Sequence, residues 1–169
     1  MIALLLQRAP RSRHSSLNPG KAIVYGLIAG LVGTGIKTIC ELISPPRPAG
    51  VSSPLGRMID AGSVLVSREP MSQSLRAVTE PIVHFGFGAA SAGVYVVVSE
   101  RSPLLRAGCG TLFGFLFWLG LHEAFLPLAG FSPSPFQMTS WEQGNELVSH
   151  VFFGCTVELV RRGLTRQLA

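Results

Sequence analysis

The sequence predicts an all-α fold: a four-helix bundle integral to a membrane, with both termini cytoplasmic. Three observations carry this. Charged residues make up 14% of the chain and hydrophobic ones 47%, with a mean hydropathy of +0.42, whereas soluble domains carry about a quarter charged residues. Four blocks come close to the roughly 20 residues a helix needs to cross the hydrocarbon core. The basic residues lie mostly between these blocks rather than on a polar face among aromatics, which fits span flanks and not a nucleic-acid surface.

The elements follow in order. Residues 1–20 are basic, with Pro and Ser, and read as a flexible tail. The single four-span domain then covers residues 21–165. Its first span, residues 21–43, reads KAIVYGLIAGLVGTGIKTICELI and is stopped by Pro45–Pro46. A long outer loop follows at residues 44–80, in which SPLGRMIDAG has the makings of a short surface helix. The second span, residues 81–99, opens on Pro81, and proline suits a first helical turn. Pro103 separates it from the third span, residues 105–128. A proline-rich turn, LAGFSPSPFQMTSW, precedes the fourth and most polar span, residues 144–160.

Orientation follows from the Lys and Arg distribution. Arg8, Arg11, Arg13, Lys21, Arg101, Arg106, Arg161, Arg162 and Arg166 fall on one side, and Arg47, Arg57, Arg68 and Arg76 on the other. The richer side is the cytoplasm. Small residues recur on the spans (Gly26, Gly30, Gly33 and Gly35; Gly86, Gly88, Ala89, Ala90, Ala92 and Gly93; Gly108, Gly110 and Gly114) and permit close helix approach in lipid. The expected partners are therefore the bilayer and a second copy of the chain through such faces, with no nucleic acid. The three cysteines, Cys40, Cys109 and Cys155, lie in apolar blocks without a CxxC pattern and read as packing residues. The apolar opening at Met1–Leu6 is too short for a signal-peptide core, so no cleaved signal is expected.

Every span brings an ionisable pair toward its outer end: Lys37/Glu41, Glu80/His84, His122/Glu123 and Glu146/His150. Steps of three and four keep Gly26, Gly30, Gly33, Lys37 and Glu41 on one face, so Lys37 continues the packing stripe. It stands about 24 Å above the inner end at 1.5 Å per residue. Ionisable residues within membranes are costly and face the interior. Each also has a bland explanation. Lysines snorkel to headgroups, carboxylates such as Glu80 and Glu142 favour helix N-termini, and helical histidines are often plain hydrogen-bonded structure. Trp118, Trp141 and Tyr25 read as belt or packing aromatics.

Three chemistries stay open for this set: structural glue, proton handling and metal binding. Histidine beside carboxylate responds near neutral pH. His84, His122, Glu146 and His150 equally match a metal-ligand set. No cofactor is expected otherwise, and a transition metal is compatible with these side chains. The spacing is Glu-x-x-x-His, not the Glu-x-x-His of carboxylate-bridged diiron bundles. Arg47, Glu158, Arg161 and Arg162 read as interface charges, Glu158 pairing with the two arginines. Arg47 is free to meet Glu41 or a phosphate headgroup. Nucleophile-elbow, P-loop and His-Glu-x-x-His patterns are lacking, and no catalytic residue is assigned.

In order and spacing, several of these features resemble the YagU-like bacterial inner-membrane proteins, a family without an assigned function. They are the first span with its Lys-x3-Glu and Pro-Pro-Arg, the PLAGFSPSPF turn after the His122 helix, and the last span with Trp141, Glu142, Glu146, His150, Glu158 and Arg161–Arg162. The likeness covers roughly residues 20–165. It implies a small multipass inner-membrane protein and singles out Lys37, Glu41, Pro45, Pro46, Arg47, Glu146, His150 and Glu158, the positions that match. The functional expectation is a non-enzymatic protein whose outward His/Glu/Lys cluster responds to protons, as in acid tolerance. A proton, ion or metal transporter is the first alternative and a metal-dependent membrane enzyme the second.

Overall fold

A computed structural model describes residues 17–167; the basic tail expected at residues 1–20 lies mostly outside them. The described residues form helices and no strand. Helix α1 (Pro19–Ile43) opens on Asn18, whose side chain accepts from Gly20 N at 2.9 Å, with proline in the first turn. It ends at Ser44, before the two prolines.

The region expected to be a loop at residues 44–80 is largely helical, and a helix occupies the SPLGRMIDAG stretch expected to form one. Helix α2 (Pro54–Ser67) is capped by Ser53, which accepts from Gly56 N at 2.9 Å, and stops at Arg68 in the left-handed conformation (φ 63°). Helix α3 (Gln73–Arg101) begins eight residues before Pro81, so Pro81 lies inside the helix and not at its start. The segment QSLRAVTE supplies good helix formers, which outweigh one missing N–H. An Asp60–Arg76 ion pair and a Ser53–Glu80 hydrogen bond tie α2 to α3.

The third block is broken, unlike the continuous helix expected from residue 105. The turn that opens at Pro103 is interrupted by a kink: Ala107 is extended (ψ 144°), and Gly108, Cys109 and Gly110 all have positive φ (59°, 58° and 88°). Helix α4 (Thr111–Trp118) then runs into a π-helical stretch, Leu119–Phe125, and a last turn, α5 (Leu126–Leu128). After the Pro135–Gln137 turn, α6 (Ser140–Gln167) completes the chain.

Helix α1 packs on α3 and α6, and α4 packs on α6. Glycine sets the approach. A Cβ on Gly30 would stand 2.6 Å from the Ala89 Cα, and one on Gly154 2.6 Å from the Gly114 N. The core is accordingly slim, built on Ala22, Ala29, Ala92, Tyr95, Val96, Phe153 and Val157. These small-residue faces are occupied by neighbouring helices of the same chain.

Outward faces carry Ile23, Leu27, Leu31, Val94, Leu116 and Leu119 in the open. Three helical stretches are long and apolar enough to cross a membrane: Pro19–Ile43, Gln73–Arg101 and Pro103–Leu128. Helix α6 is long enough and less apolar. Its charged residues include Glu146, Glu158 and Arg161, all buried against its neighbours.

Candidate functional site

The polar residues of the four long segments separate into two groups, one at each end of α6. The first surrounds Glu146. Its carboxylate is 3% exposed and has two distinct sides. Oε1 accepts from Arg47 Nη2 at 2.8 Å. Oε2 has no hydrogen-bond partner among the described residues and stands 3.6 Å from Lys37 Nζ, 3.6 Å from His122 Nε2 and 3.8 Å from His150 Nδ1.

Each neighbour is placed by its own element. Lys37 and Glu41 are one turn apart on α1 and form an ion pair, as the spacing expects. Pro45–Pro46 turn the chain off α1 and bring Arg47 back over the start of α6. There it pairs with Glu142 at 2.7 Å as well as Glu146. Arg47 thus pairs with Glu142 and Glu146 rather than with Glu41. Two more bonds pin this junction: Trp141 Nε1 donates to the Pro45 carbonyl at 3.0 Å, and Asn145 Nδ2 to Ser44 Oγ at 2.7 Å. Trp141 is therefore a fastener of α6 to α1.

His122 arrives through the π-helical stretch. The Leu126 N–H reaches back five residues to the Leu121 carbonyl, and this wider turn shifts side-chain register relative to an α-helix. Such insertions recur at functional sites. His122 is brought against His150, with ring centroids 4.7 Å apart in an edge-on arrangement. His150 Nδ1 lies 2.7 Å from the Glu146 carbonyl oxygen. A carbonyl can only accept, so Nδ1 carries the proton and Nε2 holds a free lone pair.

A cavity of about 580 Å³ opens beside this cluster, lined by Lys37, Glu41, Arg47, Glu80, His84, His122, Glu146 and His150, and by Phe87, Phe117, Phe125 and Phe153. That volume lies in the range of small-molecule sites, roughly 300–1,000 Å³. The chain from Pro46 to Ser53 forms part of its wall.

Not every expected residue joins the cluster. Glu80 is bonded to Ser53 on the cavity wall, well inside α3 and not at its N-terminus. His84 lines the cavity but stands outside the His122–Glu146–His150 group. Glu123 does not line the cavity, and its Oε1 is buried without a hydrogen bond. Adjacent helical positions point in different directions, so His122 and Glu123 cannot share a face. Glu142 and Ser53, read as capping or loop residues, take part through Arg47 and Glu80. Prolines that fold Arg47 back toward the Glu142/Glu146 row were the signal for the first.

The second group surrounds Glu158, which is fully buried. Arg161 donates to it through Nε at 2.7 Å and Nη2 at 2.8 Å, Arg162 Nε at 2.7 Å, and Tyr95 OH at 2.9 Å. Arg161 also lies 3.7 Å from Glu100, which pairs with Arg106. Between the groups runs an aromatic column: Tyr95 stacks on Phe113 at 4.2 Å, Phe113 on Phe117 at 5.7 Å, and Phe117 meets His150 at 5.7 Å.

Helices with apolar outward faces, packed through glycine and with their charges turned inward, define a multipass membrane protein. Residues 27–159 match a protein family of unknown function, DUF1440, and the chain belongs to that family. It is 28% identical to the inner membrane protein YagU of Escherichia coli (strain K12), over 88% of this chain and 86% of that protein. No solved structure matches it. The chain is a multipass protein of the bacterial inner membrane.

Proposed function

We propose that the chain is a non-enzymatic four-span bundle with both termini in the cytoplasm, whose cavity opens toward the periplasm and binds a small cation. The observation that carries this is the Glu146 carboxylate. One oxygen is held by Arg47, and the other is buried without a hydrogen bond beside a cavity. A buried unsatisfied carboxylate oxygen is costly, and a cation relieves that cost. Among the lining residues Glu41, Glu80 and Glu146 outnumber the fixed cations Lys37 and Arg47, so the local balance favours a positive guest.

The aromatic column beneath the cluster supports binding from one side rather than a continuous polar channel. The proton is one such guest, and acid tolerance is the role that follows if no other cation binds; a metal ion is the alternative. The test is thermal unfolding of the detergent-purified protein across pH 5–8 and with added alkali, alkaline-earth and transition-metal ions. A melting temperature that moves with at least one of these cations is expected. One indifferent to all of them, protons included, overturns the reading. Orientation is checked separately: a fluorescent protein that folds only in the cytoplasm, fused at the C-terminus, lights up. A dark fusion beside a positive reporter at the 44–53 segment inverts the topology.

A further inference from the structure

We infer that the cation is a divalent first-row transition metal, held by Glu146 Oε2, His122 Nε2 and the His150 imidazole, with open positions facing the cavity. This rests on the cation reading above and names its ligand class. One ligand atom from each of these three residues lies within 4.8 Å of those of the other two, and His150 Nδ1 stands 3.8 Å from Glu146 Oε2. Tetrahedral ligands with bonds of about 2.0–2.1 Å stand about 3.3 Å apart. The 3.6 Å between Glu146 Oε2 and His122 Nε2 closes to that by a few tenths of an ångström.

The surrounding bonds prepare each ligand. Arg47 takes Oε1 of Glu146 and leaves Oε2 toward the histidines. The Glu146 carbonyl takes the Nδ1 proton of His150 and frees Nε2. A ligand histidine whose other nitrogen donates to a carbonyl is the usual outer arrangement around protein-bound metals. Lys37 and Arg47 are the groups that oppose a dication here, and their ion pairs with Glu41 and Glu142 offset their charges. Two imidazoles and one carboxylate suit Zn²⁺, Fe²⁺, Co²⁺ or Ni²⁺ rather than Mg²⁺ or Ca²⁺, which prefer all-oxygen shells. The cavity beside the group leaves room for water or a substrate in the remaining positions.

The experiment uses the full chain in detergent, with Co²⁺ and Zn²⁺ as probes. Elemental analysis of the wild type is expected to give near one transition-metal ion per chain, reduced at least fivefold in His150→Ala. Cobalt loading is expected to give visible absorption bands of a low-symmetry nitrogen/oxygen site, lost in His122→Gln. Thermal unfolding of each variant confirms that it is folded. A protein that responds to protons or alkali ions but binds neither Co²⁺ nor Zn²⁺ overturns the metal inference and leaves the cation reading standing. Binding that survives both His122→Gln and His150→Ala overturns the assigned ligands.

Discussion

Helix α6 buries two glutamates twelve residues apart, and their surroundings differ in kind. Both oxygens of Glu158 are bonded, to Arg161, Arg162 and Tyr95, and the residue is sealed. Glu146 is almost as buried, yet one oxygen lacks a hydrogen bond and faces histidines and a cavity. A buried carboxylate with every lone pair engaged is finished structure. One left half-satisfied stores a cost that a ligand can remove. The difference teaches that burial and charge do not by themselves mark a functional site; the unspent bonding capacity does.

Exchanging each carboxylate for an amide breaks the comparison most sharply. Glu158→Gln leaves Arg161 buried with only Glu100 near it and is expected to cost about 3 kcal/mol, as for removal of one partner from a buried ion pair. Glu146→Gln is expected to cost about 1–2 kcal/mol, because Arg47 keeps Glu142 and Lys37 keeps Glu41, while the response to cations is lost. Thermal and denaturant unfolding in the same detergent compares the two. Equal losses, or a cation response surviving in Glu146→Gln, would remove the distinction.

A smaller effect sharpens it. Tyr95→Phe deletes one hydrogen bond to a charged group and is expected to cost about 1.5 kcal/mol, without changing cation binding at the far end of the aromatic column. Unfolding midpoints and Co²⁺ titration of the same preparation measure both. A loss of cobalt affinity in Tyr95→Phe would show that the two ends communicate through the stacked rings.

Parts of the site were legible in the sequence for reasons of spacing. Lys37 and Glu41 are a helical turn apart and pair, and Glu146 and His150 share a face of α6 in the same way. Glu158 was legible with Arg161 and Arg162 because steps of three and four bring them together. The partners that cross between segments were not: Arg47 with Glu142, Tyr95 with Glu158, Ser53 with Glu80. Nothing in the local sequence states which helix will stand opposite. Glu123 shows the reverse error, a charged neighbour of His122 that helical geometry turns elsewhere.

Hydropathy and proline placement by themselves determined the all-α class, the membrane setting and the approximate reach of the long apolar segments, because the cost of exposing backbone and charge to lipid is paid residue by residue. Only the tertiary structure decided the rest. Three successive positive φ angles break the third segment before α4, and a π-helical turn aims His122 at His150. Helix α3 runs through Pro81 and takes in the last eight residues of the expected loop. Each of these balances a local backbone cost against contacts with distant residues, and a local reading of the chain contains only the first half of that balance.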